Sequence, residues 1–200
     1  MDNSPIKKYF DSLAISWDDM CAPYPVDFDE FFSFVPFKEG MKCLDVGCGT
    51  GVLANYLISQ TKCNVKAIDI SEEMIKIAKN KNINKNIDFI CKDLFSFDEK
   101  GFDVIVVYNC FPHFLDINGV VNQTSKLLND SGYLVIAHDM GKDKLNDCHK
   151  NMDKTLTRDL NDVAYESIPF LKEYKLIYQQ DSADKFVMLF QKKLIFCLTI

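Results

Sequence analysis

Eight residues in the first third of the chain, Leu44-Asp45-Val46-Gly47-Cys48-Gly49-Thr50-Gly51, set a carboxylate beside three closely spaced glycines. An apolar run precedes them and a helix-like run comes after. The glycines therefore let the backbone turn sharply between strand and helix and let a ligand approach the main chain. About twenty residues further on, Asp69 closes the next apolar run, where a carboxylate can accept hydrogen bonds from both hydroxyls of a ribose. The two features together point to a nucleoside-bearing ligand. A dinucleotide pyrophosphate favours Gly-x-Gly-x-x-Gly, which would place the last glycine at Val52, whereas here it is Gly51. Asp45, just ahead of the loop, repels a pyrophosphate and suits a cationic amino group. No Gly-x-x-x-x-Gly-Lys-Ser/Thr sequence is present, which excludes a P-loop.

The elements around this loop alternate. Lys42 to Val46 reads as a short buried strand, and Val52 to Ser59 as a helix with Leu53, Tyr56 and Leu57 on one face. Val65 to Ile70 is a second strand. Ser71, with Glu72 and Glu73 after it, caps a helix that runs through Lys81. Ile87 to Cys91 and Phe102 to Tyr108 are the third and fourth strands, the latter apolar enough to be buried on both faces. A helix over Val120 to Leu128 is stopped by Asn129-Asp130-Ser131-Gly132, and Tyr133 to Ala137 is the fifth strand. Asp143 to Leu160 is polar and helix-compatible. Tyr174 to Gln179 and Lys185 to Gln191 form a hairpin across Asp181-Ser182-Ala183-Asp184. The pattern predicts an α/β fold: a doubly wound, mostly parallel seven-stranded sheet of Rossmann-like type, with an antiparallel strand from the C-terminal hairpin. The stretch Cys21-Ala-Pro-Tyr-Pro-Val separates a short N-terminal region from the rest; residues 1–40 are expected to form an N-terminal helical segment covering the cleft and residues 41–200 the core, in one domain overall.

Composition narrows the class. The chain has 200 residues, 48% hydrophobic and 26% charged, and is long enough to bury a full core. Its net charge of −6 and its single arginine, Arg158, argue against nucleic acid as a partner. No apolar stretch reaches the length of a membrane span, and the first residues lack a signal-peptide run. Eight scattered cysteines without a C-x-x-C pair read as core thiols of a reduced, cytoplasmic protein. The apolar tail from Leu194 to Ile200 is too short to cross a bilayer and reads as an edge or subunit contact, in a monomer or homodimer.

At this point the chain resembles the class I S-adenosylmethionine-dependent methyltransferases. Leu44 to Gly51 looks like that family's first motif, Ile68-Asp69-Ile70-Ser71 its second, Cys91-Lys92-Asp93-Leu94 its third, and Phe102-Asp103-Val104-Ile105 leads into its fourth. Tyr9 to Ala14, with Trp17-Asp18, is similar to the N-terminal segment that folds over the cofactor in members acting on small molecules. The resemblance implies that Asp45 and the backbone of Gly47 and Gly49 hold the methionine end of S-adenosylmethionine, with Cys48 and Gly51 among the cofactor-binding residues. It further implies that Asp69 binds the ribose, Ile70 packs on the adenine, and Asp93 and Leu94 meet its edge and face. Asn109 would lie near the sulfonium, and Trp17 would close over the cofactor. The implied reaction is in-line transfer of the methyl group to a nucleophilic O, N or S atom of a small molecule, leaving S-adenosylhomocysteine. A catalytically silent cofactor-binding module serving a partner protein is the alternative from another class.

The acceptor would meet the segments just past strands four and five: Asn109-Cys110-Phe111-Pro112-His113-Phe114 and His138-Asp139-Met140-Gly141. His113, His138, Asp139 and Asn109 are the catalytic candidates, with His149 shortly beyond. Three readings of the histidines stay open. They are half-buried and bonded to backbone; or His113 or His138 serves the acceptor as base or donor; or His113, His138 and Asp139, joined by His149, hold a divalent ion. The spacings are irregular for a metal motif, so no metal is assigned. Asn109 departs from the Asn-Pro-Pro-aromatic motif of amino methyltransferases, since Cys110 and Phe111 occupy its centre. Phe10, Trp17, Phe111 and Phe114 offer aromatic walls.

Overall fold

The computed structural model describes residues 3–21, 26–82 and 84–194. Its strands are β1 (Cys43–Val46), β2 (Val65–Asp69), β3 (Ile87–Cys91), β4 (Phe102–Tyr108), β5 (Leu128–His138), β6 (Tyr174–Ser182) and β7 (Lys185–Lys192). They form one sheet in the order β3-β2-β1-β4-β5-β7-β6. The first five are mutually parallel, and β7 enters antiparallel to both β5 and β6. The expected doubly wound, Rossmann-like sheet with its antiparallel C-terminal strand is what the chain forms. The order reverses between β1 and β4, and the glycine loop leaves β1 at that switch, where such sheets bind ligands.

Side-chain alternation divides the core into two layers. Leu44, Ile105, Val107, Leu134, Ile136, Phe186 and Met188 face one way, packed on Val120 and Val121 of α6 (Ile117–Leu127), Leu145 of α7 (Lys142–His149) and Phe170. Cys43, Val65, Ala67, Val104, Val106, Val135 and Val187 face the other way. There they meet Ala54 and Leu57 of α4 (Ala54–Thr61) and Ile75 and Ala78 of α5 (Glu72–Lys81). A central strand such as β4 is apolar throughout because both faces are covered. The N-terminal residues form α1 (Ser4–Leu13), α2 (Trp17–Cys21) and α3 (Phe28–Phe31), and α8 (Val163–Ser167) precedes β6.

Ser71 caps α5 as expected, its side chain accepting the Met74 N–H. Several boundaries differ. Helix α4 starts at Ala54 rather than Val52, because Gly49 to Leu53 finish the turn out of the loop. Helix α6 begins three residues earlier than expected, where the Asp116 side chain accepts the Gly119 N–H. The stop signal Asn129-Asp130-Ser131-Gly132 lies inside β5 as an irregularity, with Ser131 at φ +62° and the pairing passing from Phe102–Leu128 to Val104–Tyr133. Helix α7 ends at His149, well short of Leu160. Beyond it, side chains and distant backbone take the bonds a helix would make. Asn146 pairs with both backbone groups of Leu160 (2.8 and 2.9 Å), and the Arg158 N–H donates to the Pro112 carbonyl (3.0 Å). The hairpin is tighter than expected, with only Ala183 and Asp184 between β6 and β7.

Cys43 and Cys48 are buried thiols, but Cys21, Cys91 and Cys148 are exposed, Cys91 because β3 is an edge strand. Residues 22–25 of the proline-rich stretch, and residues 195–200 with Cys197, lie outside the described residues. No helix among the described residues is long and apolar enough to cross a membrane.

Candidate active site

The carboxyl ends of β1 to β5 open into a cavity of about 550 Å³. Its floor is the glycine loop. The carbonyl of Ile68 on β2 accepts the N–H groups of both Gly47 (2.8 Å) and Cys48 (3.0 Å), pulling the loop across the sheet end. Gly47 sits at φ +69°, and a Cβ there would lie 2.6 Å from the Sγ of Cys110, whose thiol donates to the Val46 carbonyl at 3.1 Å. Glycine is thus required twice at position 47, for conformation and for space. Gly51 plays a different part from the one implied for it. It does not line the cavity; a Cβ there would come within 2.8 Å of Phe89 and Asn82, so its bareness seats the loop against β3 and α5.

Asp69 accepts the Gly49 N–H through Oδ2 (2.9 Å) and the Ser71 N–H through Oδ1 (2.8 Å), which fixes its carboxylate at the cavity wall. Asp45 is different. It is 1% exposed, lines the cavity, and its Oδ2 has no hydrogen-bond partner among the described residues. Burial, with the neighbouring Asp69 charge adding to it, pushes the Asp45 carboxyl up to about 7. An orphaned buried carboxylate oxygen is costly unless a donor arrives, and a ligand ammonium supplies charge and donors together.

Opposite, Asp93 caps the 3₁₀ turn at Leu94–Ser96 through the Phe95 N–H (2.9 Å) and accepts the Asn3 side-chain amide at 2.6 Å. Ile70 and Leu94 line the same end. The N-terminal helices form the roof, with Asn3, Ile6, Phe10 and Trp17 reaching the cavity. Three polar clamps hold them. Asp11 accepts the Ser71 hydroxyl (2.7 Å) and the Glu73 N–H (3.2 Å) at the start of α5, and Asp18 accepts the Thr50 hydroxyl (2.6 Å) and pairs with Lys81. Asn3 on Asp93 is the third.

At the end beyond β4 and β5, Asn109 adopts φ +53°, and its side-chain oxygen accepts the Asp139 N–H at 3.1 Å. Asp139 in turn accepts the Tyr108 hydroxyl at 2.9 Å. Asn109, Tyr108, Asp139 and His113 all line the cavity. The Nδ1–H of His113 donates to the Leu156 carbonyl (2.9 Å), leaving Nε2 as the unprotonated nitrogen, and its ring meets Phe10 edge-on at 4.9 Å. Desolvation pushes His113 down to about 4, so it is neutral at pH 7 and a weak base.

His138 is a correction. Expected on the rim, it is 1% exposed, absent from the cavity lining, and packed against Phe186, because it is the last residue of β5 and points into the core rather than out of the sheet end. Neither ring nitrogen has a partner among the described residues, and burial pushes it down to about 3. His149 stacks edge-on against His113 at 5.2 Å and does not line the cavity. Among the described residues, no three His, Cys, Asp or Glu side chains gather as a metal site. Phe10, Trp17 and Phe114 do wall the cavity, whereas Phe111 is core, with the Arg158 guanidinium 4.8 Å above its ring. Tyr108 and Phe28 were not legible as site residues; the one signal for Tyr108 was a hydroxyl at the outer end of an otherwise apolar strand.

Comparison with known proteins agrees with this geometry. Residues 44–136 match the methyltransferase domain family. A malonyl-acyl-carrier-protein O-methyltransferase of Acetivibrio thermocellus is 31% identical over 102 residues, 50% of this chain and 36% of that one. A ribosomal-protein methyltransferase of Thermotoga petrophila is 40% identical over 79 residues, 38% of this chain and 30% of that one. Magnesium protoporphyrin IX methyltransferase from Synechocystis, solved with bound S-adenosylhomocysteine, superposes with a TM-score of 0.72 at 16% identity, covering 96% of this chain and all of that one. The chain thus spans about a third of the length of the curated relatives named here. The fold and the loop define a nucleoside-binding α/β protein. Over residues 44–136, just under half of the chain, it is similar to the methyltransferase domain, and class I S-adenosylmethionine-dependent methyltransferases are the proteins it resembles.

Proposed function

We propose that the chain transfers the methyl group of S-adenosylmethionine to a nucleophilic atom of a small-molecule acceptor. The observation that carries this reading is the orphaned Asp45 oxygen, facing a cavity that Asp69 and Asp93 also line. Such a cradle fits a nucleoside at one end and an amino acid ammonium at the other. Bound there, the cofactor supplies an activated methyl group whose leaving group is already positively charged.

The chain's own residues bind and align. Asp45, with the bare backbone of Gly47 and Gly49, takes the amino acid end. Asp69 takes the ribose, and Ile70, Asp93 and Leu94 take the base. The described N-terminal helices, through Phe10 and Trp17, cover the cleft and exclude water. Asn109 and Asp139 face the acceptor. His113, held neutral, offers Nε2 as a hydrogen-bond acceptor rather than as a strong base. Alignment of this kind supplies roughly 7–11 kcal/mol of a barrier without proton transfer. A cavity of about 550 Å³, shared between cofactor and acceptor, favours a small acceptor over a folded macromolecule.

The test has two arms. S-adenosylmethionine and S-adenosylhomocysteine should each raise the melting temperature of the chain, and incubation with a metabolite extract should convert labelled S-adenosylmethionine into a labelled small molecule. Binding with no labelled product from any extract would instead favour the silent module.

A further inference from the structure

We infer that the methyl acceptor is an amine, recognised through its positive charge by Asp139 beside Tyr108 and Phe28; this rests on the methyltransferase reading above. Charge accounting over the cavity leads there. Among the described residues, six aspartates line it and one lysine, Lys92, does, with no arginine. Lys92 comes directly after β3, at the end occupied by Asp93 and Leu94, away from β5.

Five of the six carboxylates already have work. Asp45, Asp69 and Asp93 form the cradle, Asp18 is paired with Lys81, and Asp116 caps α6. Asp139 is the remainder. It lies past the end of β5, beside Asn109, and among the described residues no cation pairs with it. Among the described residues its carboxylate bonds the Tyr108 hydroxyl, which orients it without adding positive charge. Next to it, the Tyr108 and Phe28 rings meet edge to face at 5.7 Å, and both line the cavity. A carboxylate beside aromatic faces is the recognition chemistry of an ammonium group. A carboxylate or phenolate acceptor would meet repulsion here and find no basic residue to offset it.

The transfer is consistent with that charge. An ammonium first gives one proton to solvent. The freed nitrogen lone pair then forms the N–C bond while the S–C pair stays on sulfur. One positive charge thereby leaves sulfur and reappears on nitrogen, facing Asp139.

The experiment titrates phenethylamine, 2-phenylethanol and 3-phenylpropionate by calorimetry into the chain saturated with S-adenosylhomocysteine. The amine should bind at least tenfold tighter than the alcohol, with the carboxylate weakest. Asp139→Asn should abolish that preference and Asp139→Glu should keep it, with S-adenosylhomocysteine binding as the check that each variant is folded. An amine that binds no tighter than the alcohol, or a preference that survives Asp139→Asn, overturns the inference while leaving the methyltransferase reading in place. Failure of S-adenosylhomocysteine to bind the unaltered chain overturns both.

Discussion

The Sγ of Cys110 lies where a side chain on residue 47 would begin, 2.6 Å from the position of a Cβ there. The loop after β4 therefore packs directly against the loop after β1, joined to it by the Cys110 thiol on the Val46 carbonyl. Gly47→Ala would add the strain of a left-handed alanine, about 1–2 kcal/mol, to this collision. We expect Gly47→Ala to lower both the melting temperature and cofactor affinity. Adding Cys110→Ala should restore the part due to collision and leave the conformational part, giving a non-zero coupling in a double-mutant cycle. Strict additivity would show that the contact carries no energy.

Asp45 binds its proton more tightly in the folded chain, near 7, than in the unfolded chain, near 3.8. Its contribution to stability is therefore full below pH 3.8 and lost as pH rises through about 7. Asp45→Asn should raise the melting temperature of the ligand-free chain, more at pH 8 than at pH 5.5. The same change should weaken S-adenosylmethionine binding by about 10- to 100-fold, the worth of a hydrogen bond to a charged group. Thermal scans at the two pH values, with calorimetry alongside, check both halves.

His138 has the opposite sign. The unfolded chain protonates it near 6.5 and the folded chain only near 3, so stability is full above 6.5 and falls with pH through that window. The loss attributable to this residue is about 2 kcal/mol at pH 5. His138→Leu should remove it, raising the melting temperature more at pH 5 than at pH 8 and leaving turnover intact. Loss of turnover in a well-folded His138→Leu chain would restore a catalytic role to it.

Arg158 makes a two-pronged pair with Glu166, 2.9 and 2.8 Å, with the Glu166 side chain 4% exposed. This staple lies under the turn that carries His113, since Arg158 also covers the Phe111 ring. Arg158→Met alone leaves a buried charge and should cost about 3–5 kcal/mol in chemical denaturation. Arg158→Met with Glu166→Leu should recover most of it. An equal loss in the double variant would mean that packing, not charge, dominates.

Much of the sheet was legible because strand periodicity and Gly, Asp and Ser punctuation are local signals. The glycine loop, Asp69 and the Ser71 cap all emerged from spacing alone. What was not legible depends on tertiary partners. Helix α7 ends early because Asn146 reaches Leu160, and Gly51 turns from the cavity because Phe89 fills the space beside it. His138 and His113 look alike in sequence, each close to the end of a buried strand, yet one points into the core and the other into the cavity. His138 is the last residue of β5 and faces the core as its strand neighbours do, whereas His113 sits in the 3₁₀ turn past β4, where the chain has already left the sheet. The Tyr108–Asp139 bond joins two strand ends whose approach is set by pairing of β4 with β5.

The central claim is that the cavity grips a nucleoside with a cationic tail, and calorimetric titration of the purified chain with S-adenosylhomocysteine and with NAD tests it most directly. The account predicts one saturable site for S-adenosylhomocysteine and no measurable heat from NAD. NAD binding with no S-adenosylhomocysteine binding would contradict it.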